Sequence, residues 1–114
     1  MLSIAQDLVW KALADPTRRR VLETIEEKSA TTGELVDRFG GQMVRTAVMK
    51  HLDVLEAAKL IRVERVGRVR YNHIRRKPLE VASAWLEKRV QGHQNNLKRL
   101  KKIAEAAPNR RRGK

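Results

Sequence analysis

TTGELVDRFGGQMVRTAVMKHLDVLEAAKLIRVERVGRVRYNHI, residues 31–74, is the stretch whose reading decides the fold. Apolar residues recur at a helical period as far as Leu60, then alternate from about Ile61, with Gly67 at the tip of a hairpin. Thr31-Thr32-Gly33-Glu34 has the form of a capping box, with Thr31 capping and Glu34 reaching back. A short helix over about Thr32 to Phe39 follows, burying Leu35, Val36 and Phe39. Gly40-Gly41 stops it and permits a sharp turn. A second helix then runs from about Met43 to Ala58, with Val44, Ala47, Val48, Leu52 and Leu55 on its inner face.

The hairpin follows directly. Pairing Ile61 with Tyr71 and Val63 with Val69 keeps the apolar side chains on one face and sets Arg62 against Arg70 and Glu64 against Arg68 on the other. This register predicts a three-residue loop, Arg65-Val66-Gly67, with glycine at the left-handed position. A compact helix pair followed by a basic ribbon is the pattern of a winged helix-turn-helix. The expected fold is mainly α with a small β-hairpin, ordered α-α-α-α-β-β-α.

Upstream, a first helix is predicted over Ile4 to Leu13, with Ile4, Leu8 and Ala12 on one face and Val9 and Leu13 beside it. Asp15-Pro16 restarts the chain. Asp is a good N-cap, and Pro at the first helical position loses no bond. The helix from Pro16 to about Glu27 buries Val21, Leu22 and Ile25 and leaves Arg18 to Arg20 as a mainly solvated face. Downstream, a long helix begins at Pro78, with Leu79, Ala82, Leu86, Val90, Leu97 and Leu100 forming a narrow, coiled-coil-like stripe. Gly92 interrupts it at about 1 kcal/mol relative to alanine, which leaves room for a bend there. So small a domain cannot cover the whole stripe, and a second copy of the chain would cover the rest. The expected organisation is one domain over residues 1–107 and a disordered basic tail over 108–114, PNRRRGK.

The composition narrows the function classes. A chain of 114 residues with 41% apolar content suits one small domain with a modest core. Its formal net charge of +13 points to a polyanion, nucleic acid before anionic membrane. The excess is localised: residues 58–77 hold 8 Lys/Arg against 1 Asp/Glu, and residues 95–114 again 8 against 1, whereas residues 1–57 hold 8 against 9. With no cysteine, disulfides, thiolate metal sites and thiol catalysis are excluded. No apolar run approaches the roughly 18–20 residues of a membrane span. Met1 to Ala14 suits a folded segment better than a signal peptide, so a cytoplasmic protein without membrane partners is expected. No glycine-rich phosphate loop, nucleophile–His–acid set or paired-His zinc motif is present, and an enzyme is not expected; nor is a cofactor or metal.

Two stretches, LADPTRRRVLETI from Leu13 to Ile25 and AVMKHLDVLEAAKLI from Ala47 to Ile61, resemble the ArsR-type repressors, a bacterial family of dimeric winged-helix regulators. VGRVRYNHI matches the wing of that family, and the resemblance covers roughly residues 5 to 90. It implies a homodimer joined through the first and last helices, bound to a palindromic operator in double-stranded DNA and released by an effector. The chain departs from the family in several places. The third helix, GELVDRF, lacks the thiols that metal-sensing members often carry there. The last helix has only His93 where others combine a carboxylate with several histidines. The usual alanine-glycine-leucine after the recognition helix is Ala58-Lys59-Leu60, and Val44 stands where a Ser or Thr cap is customary. Any effector is therefore non-thiol and unidentified.

The residues expected to carry DNA binding follow from chemistry and position. Arg45, Thr46, Met49 and Lys50, on the outer face of the fourth helix with Asp53, combine a planar donor fork, a hydroxyl, a flexible apolar contact and a cation, groups that read base edges in the major groove. Arg62, Arg65, Arg68 and Arg70 on the wing are expected along the DNA backbone. His51 is either a further DNA contact, to the backbone, or a boundary histidine packed against the ribbon. Leu8, Trp85, Leu86, Val90 and Leu97 are expected at the dimer interface. His73 is expected at the surface, and His93 would meet its symmetry mate, although two histidines are too few for a closed zinc site. The reading is a sequence-specific transcriptional regulator, a dimeric repressor that occludes a promoter. The alternatives are a nonspecific or architectural nucleic-acid binder and a winged-helix module for an acidic protein partner.

Overall fold

A computed structural model describes residues 3–41 and 43–106. The elements run α1 (Ile4–Leu13), α2 (Pro16–Glu27), β1 (Ala30–Thr31), α3 (Thr32–Phe39), α4 (Arg45–Ala57), β2 (Ile61–Val66), β3 (Val69–Ile74) and α5 (Lys77–Ala106). The strands form one antiparallel sheet in the order β1-β3-β2. The described chain divides into two units between Ala82 and Ser83, and α5 runs through the division. The tail at 108–114 lies outside the described residues.

Short-range chemistry places the first three helices where the sequence predicts them. Ser3 and Gln6 form a reciprocal capping box on α1, and Thr31 and Glu34 form another on α3. The Thr31 backbone N–H, with its hydroxyl, holds the Glu34 carboxyl below its ordinary value. Asp15 caps α2 through the Arg18 N–H, with Pro16 in the first turn. At the end of α3, a Cβ on Gly40 would lie 2.5 Å from the Val36 carbonyl oxygen, so only glycine fits without displacing backbone.

The core of the first unit gathers Val9 and Ala12 from α1, Val21, Leu22 and Ile25 from α2, and Leu35 and Phe39 from α3. Val48, Leu52 and Leu55 of α4, with Leu60 and Ile61 beyond it, complete the centre, and Ala82 adds the first turns of α5. Ile4, expected on the inner face of α1, stands exposed at its first residue. Val44 is not the first inner residue of α4. It is the N-cap, extended at φ −75° and ψ 162°, and therefore off the buried stripe and exposed. Thus α4 starts at Arg45 rather than at about Met43 and has no side-chain cap.

The hairpin is in a different register from the one predicted. Ile61 pairs with Ile74, Val63 with Asn72, Arg65 with Arg70 and Val66 with Val69. The loop is two residues, Gly67-Arg68, with Gly67 at φ +63°, and Arg68 is not among the residues of positive φ. Glycine at the first central position is the preference of a type II′ turn, whose twist matches that of the flanking strands. The shift relative to the predicted pairing is odd, so β3 presents its other set of side chains inward. Asn72 is fully buried and donates to the Ala30 carbonyl at 3.2 Å and the Thr32 hydroxyl at 3.1 Å. Tyr71 and Val69 turn outward and are exposed. The two-residue strand β1, which pairs Ala30 with Asn72, was not anticipated.

The exit from α4 is a Schellman motif. The Lys59 N–H donates to the Glu56 carbonyl at 2.9 Å, and the Leu60 N–H to the Leu55 carbonyl at 3.0 Å, with both leucines fully buried. Lys59 takes the left-handed position at φ 63°, which glycine adopts without penalty. Replacing Lys59 with glycine should raise stability by about 0.5–1 kcal/mol, the steric relief exceeding glycine's extra unfolded-state entropy. A thermal melt showing a Tm increase of several degrees would agree; an unchanged or lower Tm would contradict it.

Candidate nucleic-acid interface

The outer face of α4 carries the groups expected of it. Arg45, Thr46 and Lys50 are exposed and Met49 is half-buried, while Val48, Leu52 and Leu55 hold the opposite side in the core. A cationic fork, a hydroxyl and an ammonium therefore stand on a rigid helix, able to donate to acceptors on base edges. Asp53 is exposed one turn beyond Met49 and Lys50.

A hydrogen bond from α2 holds α4 laterally. Arg18 donates from Nη1 to His51 Nδ1 at 3.2 Å, from Nε to the Ala12 carbonyl at 2.8 Å and from Nη2 to the Lys11 carbonyl at 3.0 Å. Arg19 donates to the Leu13 carbonyl at 2.7 Å. Arg18 and Arg19 thus satisfy the open carbonyls at the end of α1, a role that the expectation of a solvated face missed. The sequence signal was the sharp Ala14-Asp15-Pro16 corner, which brings the end of α1 back over the start of α2. In its uncharged form His51 accepts from Arg18 through Nδ1, which selects the tautomer with its proton on Nε2 and leaves that N–H as the ring's remaining donor. His51 Nδ1 also lies 3.9 Å from the Asp15 carboxylate. At the other end of the helix, Glu56 lies 3.9 Å from Arg70.

On the wing, Arg62, Arg65 and Arg68 are exposed. Arg70 differs from expectation: it shares the inward parity of Asn72, its side chain is only 16% exposed, and its guanidinium faces Glu56. Its Nε is buried without a hydrogen-bond partner among the described residues. His73 is half-buried rather than simply superficial. Its Nε2 meets Glu64 at 2.9 Å, its Nδ1 meets the Ser29 hydroxyl at 2.6 Å, and its ring stacks on Tyr71. This imidazole joins both wing strands to the end of α2.

The residues expected at a dimer interface fall into two sets. Leu8 is half-buried and packs on the core of the first unit. In the second unit, Trp85 is half-buried with the Arg89 guanidinium 4.6 Å from its ring centroid, an arrangement suited to cation–π attraction. Leu86, Val90, Leu97, Leu100 and Ile103 are all exposed along the helix. Gly92 and His93 lie within the same uninterrupted helical span. No helix among the described residues is long and apolar enough to cross a membrane.

A helix-turn-helix domain model matches residues 13–64, from the end of α1 into β2. The chain is 33% identical over 88 residues to the uncharacterized HTH-type transcriptional regulator YuzN of Bacillus subtilis (strain 168), covering 72% of this chain and 96% of that one. It is 27% identical over 89 residues to the transcriptional repressor SdpR of the same organism, covering 78% and 97% of the two chains. Among solved structures it is similar to the ArsR family transcriptional regulator RHA00566, at 36% identity and a TM-score of 0.73, over 79% of this chain and 97% of that one.

The corner that seats α4 carries a carboxyl whose titration is shifted by folding. Burial pushes the Asp15 carboxyl up, but the Arg18 N–H, the charges of His51 and Arg18 and the Thr17 N–H together hold it below its ordinary 3.8. A carboxyl lowered by folding contributes stability that is complete above its unfolded value and is lost as pH falls through the folded one. Asp15→Asn keeps a side-chain oxygen for the Arg18 N–H and removes the charge. Its urea midpoint should fall less than the wild type's between about pH 7 and about pH 3. Parallel losses in the two proteins would remove Asp15 from the acid response.

Proposed function

The chain belongs to the ArsR family of winged helix-turn-helix transcriptional regulators, and on that premise we propose that it is a dimeric repressor that occludes a promoter. As a member of the family it is a DNA-binding transcriptional regulator, a non-enzymatic role. In the proposed mechanism two copies set their α4 helices into successive major grooves of a palindromic operator, about 34 Å apart. Arg45, Thr46, Met49 and Lys50 face the bases. Arg62, Arg65 and Arg68 lie along phosphates, joined by the free Nε2–H of His51. Arg70, turned inward with its guanidinium 3.9 Å from Glu56, stands outside that set. The protein works in the cytoplasm, where its operator is accessible.

The observation that carries this reading is the concurrence of an exposed, mixed polar face on a rigidly seated α4 with three exposed arginines on the adjoining wing. The helix can discriminate between sequences and the wing supplies affinity. Dimerisation is supported by the exposed stripe Leu86, Val90, Leu97, Leu100, Ile103, an apolar row that water solvates poorly and a second copy would cover. Leu8 and Trp85 flank that interface in the proposed assembly.

Fluorescence anisotropy on the chain's own upstream duplex, beside a scrambled duplex and across a salt series, tests the reading. A preference of about a thousandfold or more with a steep salt slope is the expected result. Equal affinities that fall together with salt would favour a nonspecific binder instead. Arg68→Ala should weaken all duplexes alike and reduce the salt slope by about 1, whereas Arg45→Ala should cost about 1–3 kcal/mol on the operator and relax base preference. Unchanged base preference would remove Arg45 from the readout set. Val90→Lys with Leu97→Lys alters only exposed positions, so the chain should stay folded, sediment as a monomer and lose operator affinity. A double variant that still sediments as a dimer would place the interface elsewhere.

A further inference from the structure

The C-terminal stretch of α5, residues 95–106, lies within the second unit and beyond the part of the chain that carries the family resemblance. One side of it continues the apolar stripe through Leu97, Leu100 and Ile103. Lys98, Arg99, Lys101 and Lys102 fill the remainder of the same turns, and all four are exposed. Spacings of three and four residues join Lys98 to Lys101 and Lys102, and Arg99 to Lys102. Four cations thus stand within about 6 Å of helix axis.

Like charges at these spacings repel and weaken the helix that carries them. No acid offsets them: none of the four is in an ion pair among the described residues, and Glu105 is the one carboxylate between Gln91 and Ala106. The helix dipole does not account for them either. Its attraction for cations is confined to the last turn, and the last described turn of α5 holds no base. Nor are they part of the apolar stripe. Lys98 and Lys102, two residues to either side of Leu100, point about 160° away from it. A dimer that buries the stripe therefore leaves this face open and presents it twice. What remains is a cationic surface whose repulsion a polyanion would relieve. Duplex DNA is the polyanion that fits. An anionic membrane would have to take up the apolar row that the second copy covers, and no Trp, Tyr or Phe stands between Leu86 and Ala106 to seat at a headgroup boundary.

We propose that Lys98, Arg99, Lys101 and Lys102 form a second contact surface for duplex DNA, one that grips phosphates without regard to base sequence. It adds to the contacts assigned to α4 and the wing, and it rests on the DNA-binding part of that reading, not on promoter occlusion. Each phosphate neutralised releases counterions, so the surface contributes a salt-dependent affinity common to all duplexes. Such a contact holds the chain on DNA while α4 samples one sequence after another.

The test compares the full chain with the triple variant Lys98→Gln, Lys101→Gln and Lys102→Gln, by anisotropy on the operator duplex and on a scrambled duplex across a salt series. Glutamine keeps the helical propensity and all three positions are exposed, so the variant should melt and sediment as the wild type does. Its affinity for both duplexes should fall by about tenfold or more near 0.1 M salt, and its salt slope by about 2–3 for each chain bound. The ratio of operator to scrambled affinity should stay within about twofold, because phosphate contacts carry no sequence information. An equal charge loss at other exposed positions, Lys11→Gln with Arg20→Gln and Lys28→Gln, should cost far less. Equal losses in the two triple variants would make the effect one of net charge and overturn the proposal. Unchanged affinity and slope in the α5 variant would overturn it too, as would a loss confined to the operator. Vesicles of phosphatidylglycerol and phosphatidylcholine give the last arm: if the α5 variant loses vesicle binding and keeps its affinity for DNA, the face belongs to a lipid surface and the proposal fails. A wild type without operator preference would sink the repressor reading, while the scrambled duplex would still decide the role of α5.

Discussion

Asn72 is the side chain on which the arrangement of the wing depends. It is wholly buried, and its amide donates to the Ala30 carbonyl and the Thr32 hydroxyl, which lie at the threshold of α3. Its Oδ1 is buried without a hydrogen-bond partner among the described residues, so the two bonds its Nδ2 donates beside β1 are what offset the cost of burying the amide in this register. That constraint and the tight Gly67-Arg68 turn act together, one at each end of β3. They determine which arginines face solvent and which face the helices. Arg62 and Arg68 are left exposed, while Arg70 is drawn toward Glu56. The charge pattern of the wing therefore follows from the register of β2 and β3.

Helix α4 is held by a comparable division of labour. Hydrophobic burial of Val48, Leu52 and Leu55 fixes its depth in the domain, a non-directional force that leaves rotation and sliding weakly determined. Directional contacts supply the rest. Arg18 links His51 to the carbonyl end of α1, and the Schellman bonds fix the angle at which the chain leaves for β2. Glu56 adds only a long, partly exposed ion pair to Arg70, which contributes little by itself and depends on the wing being held elsewhere.

How much of this was legible in the chain depends on the range of the interaction. The capping groups Asp15 and Thr31 act within three residues, and the helices they begin lie where local chemistry predicts. The outer face of α4 was equally legible, because helical periodicity assigns Arg45, Thr46, Met49 and Lys50 to one side whatever the tertiary fold. The strand register was not. Alternation favoured Tyr71 inward, and Asn72 looks like an outward residue until Ala30 and Thr32, some forty positions earlier, are placed beside it. Arg18 misled for the same reason: its partners are backbone carbonyls six and seven residues back and a histidine on another helix. The departures of Val44 and Lys59 from the family's pattern were visible, but their consequences, an uncapped start and a left-handed lysine, required the backbone geometry.

Those two departures sit at opposite ends of the same helix, and both act against local stability. Without a side-chain cap the first turn of α4 forgoes about 1 kcal/mol, and at the far end lysine replaces the residue best suited to the turn. Neither loss is repaired nearby, since Val44 is exposed and Lys59 makes only the backbone bonds any residue could make. Well-packed chains break local rules mainly where something other than folding is served. The interior of α4, by contrast, obeys every rule of burial and spacing. Stability is thus concentrated in the middle of the helix, while its two ends, the first beside the exposed Arg45 and Thr46, keep the local losses.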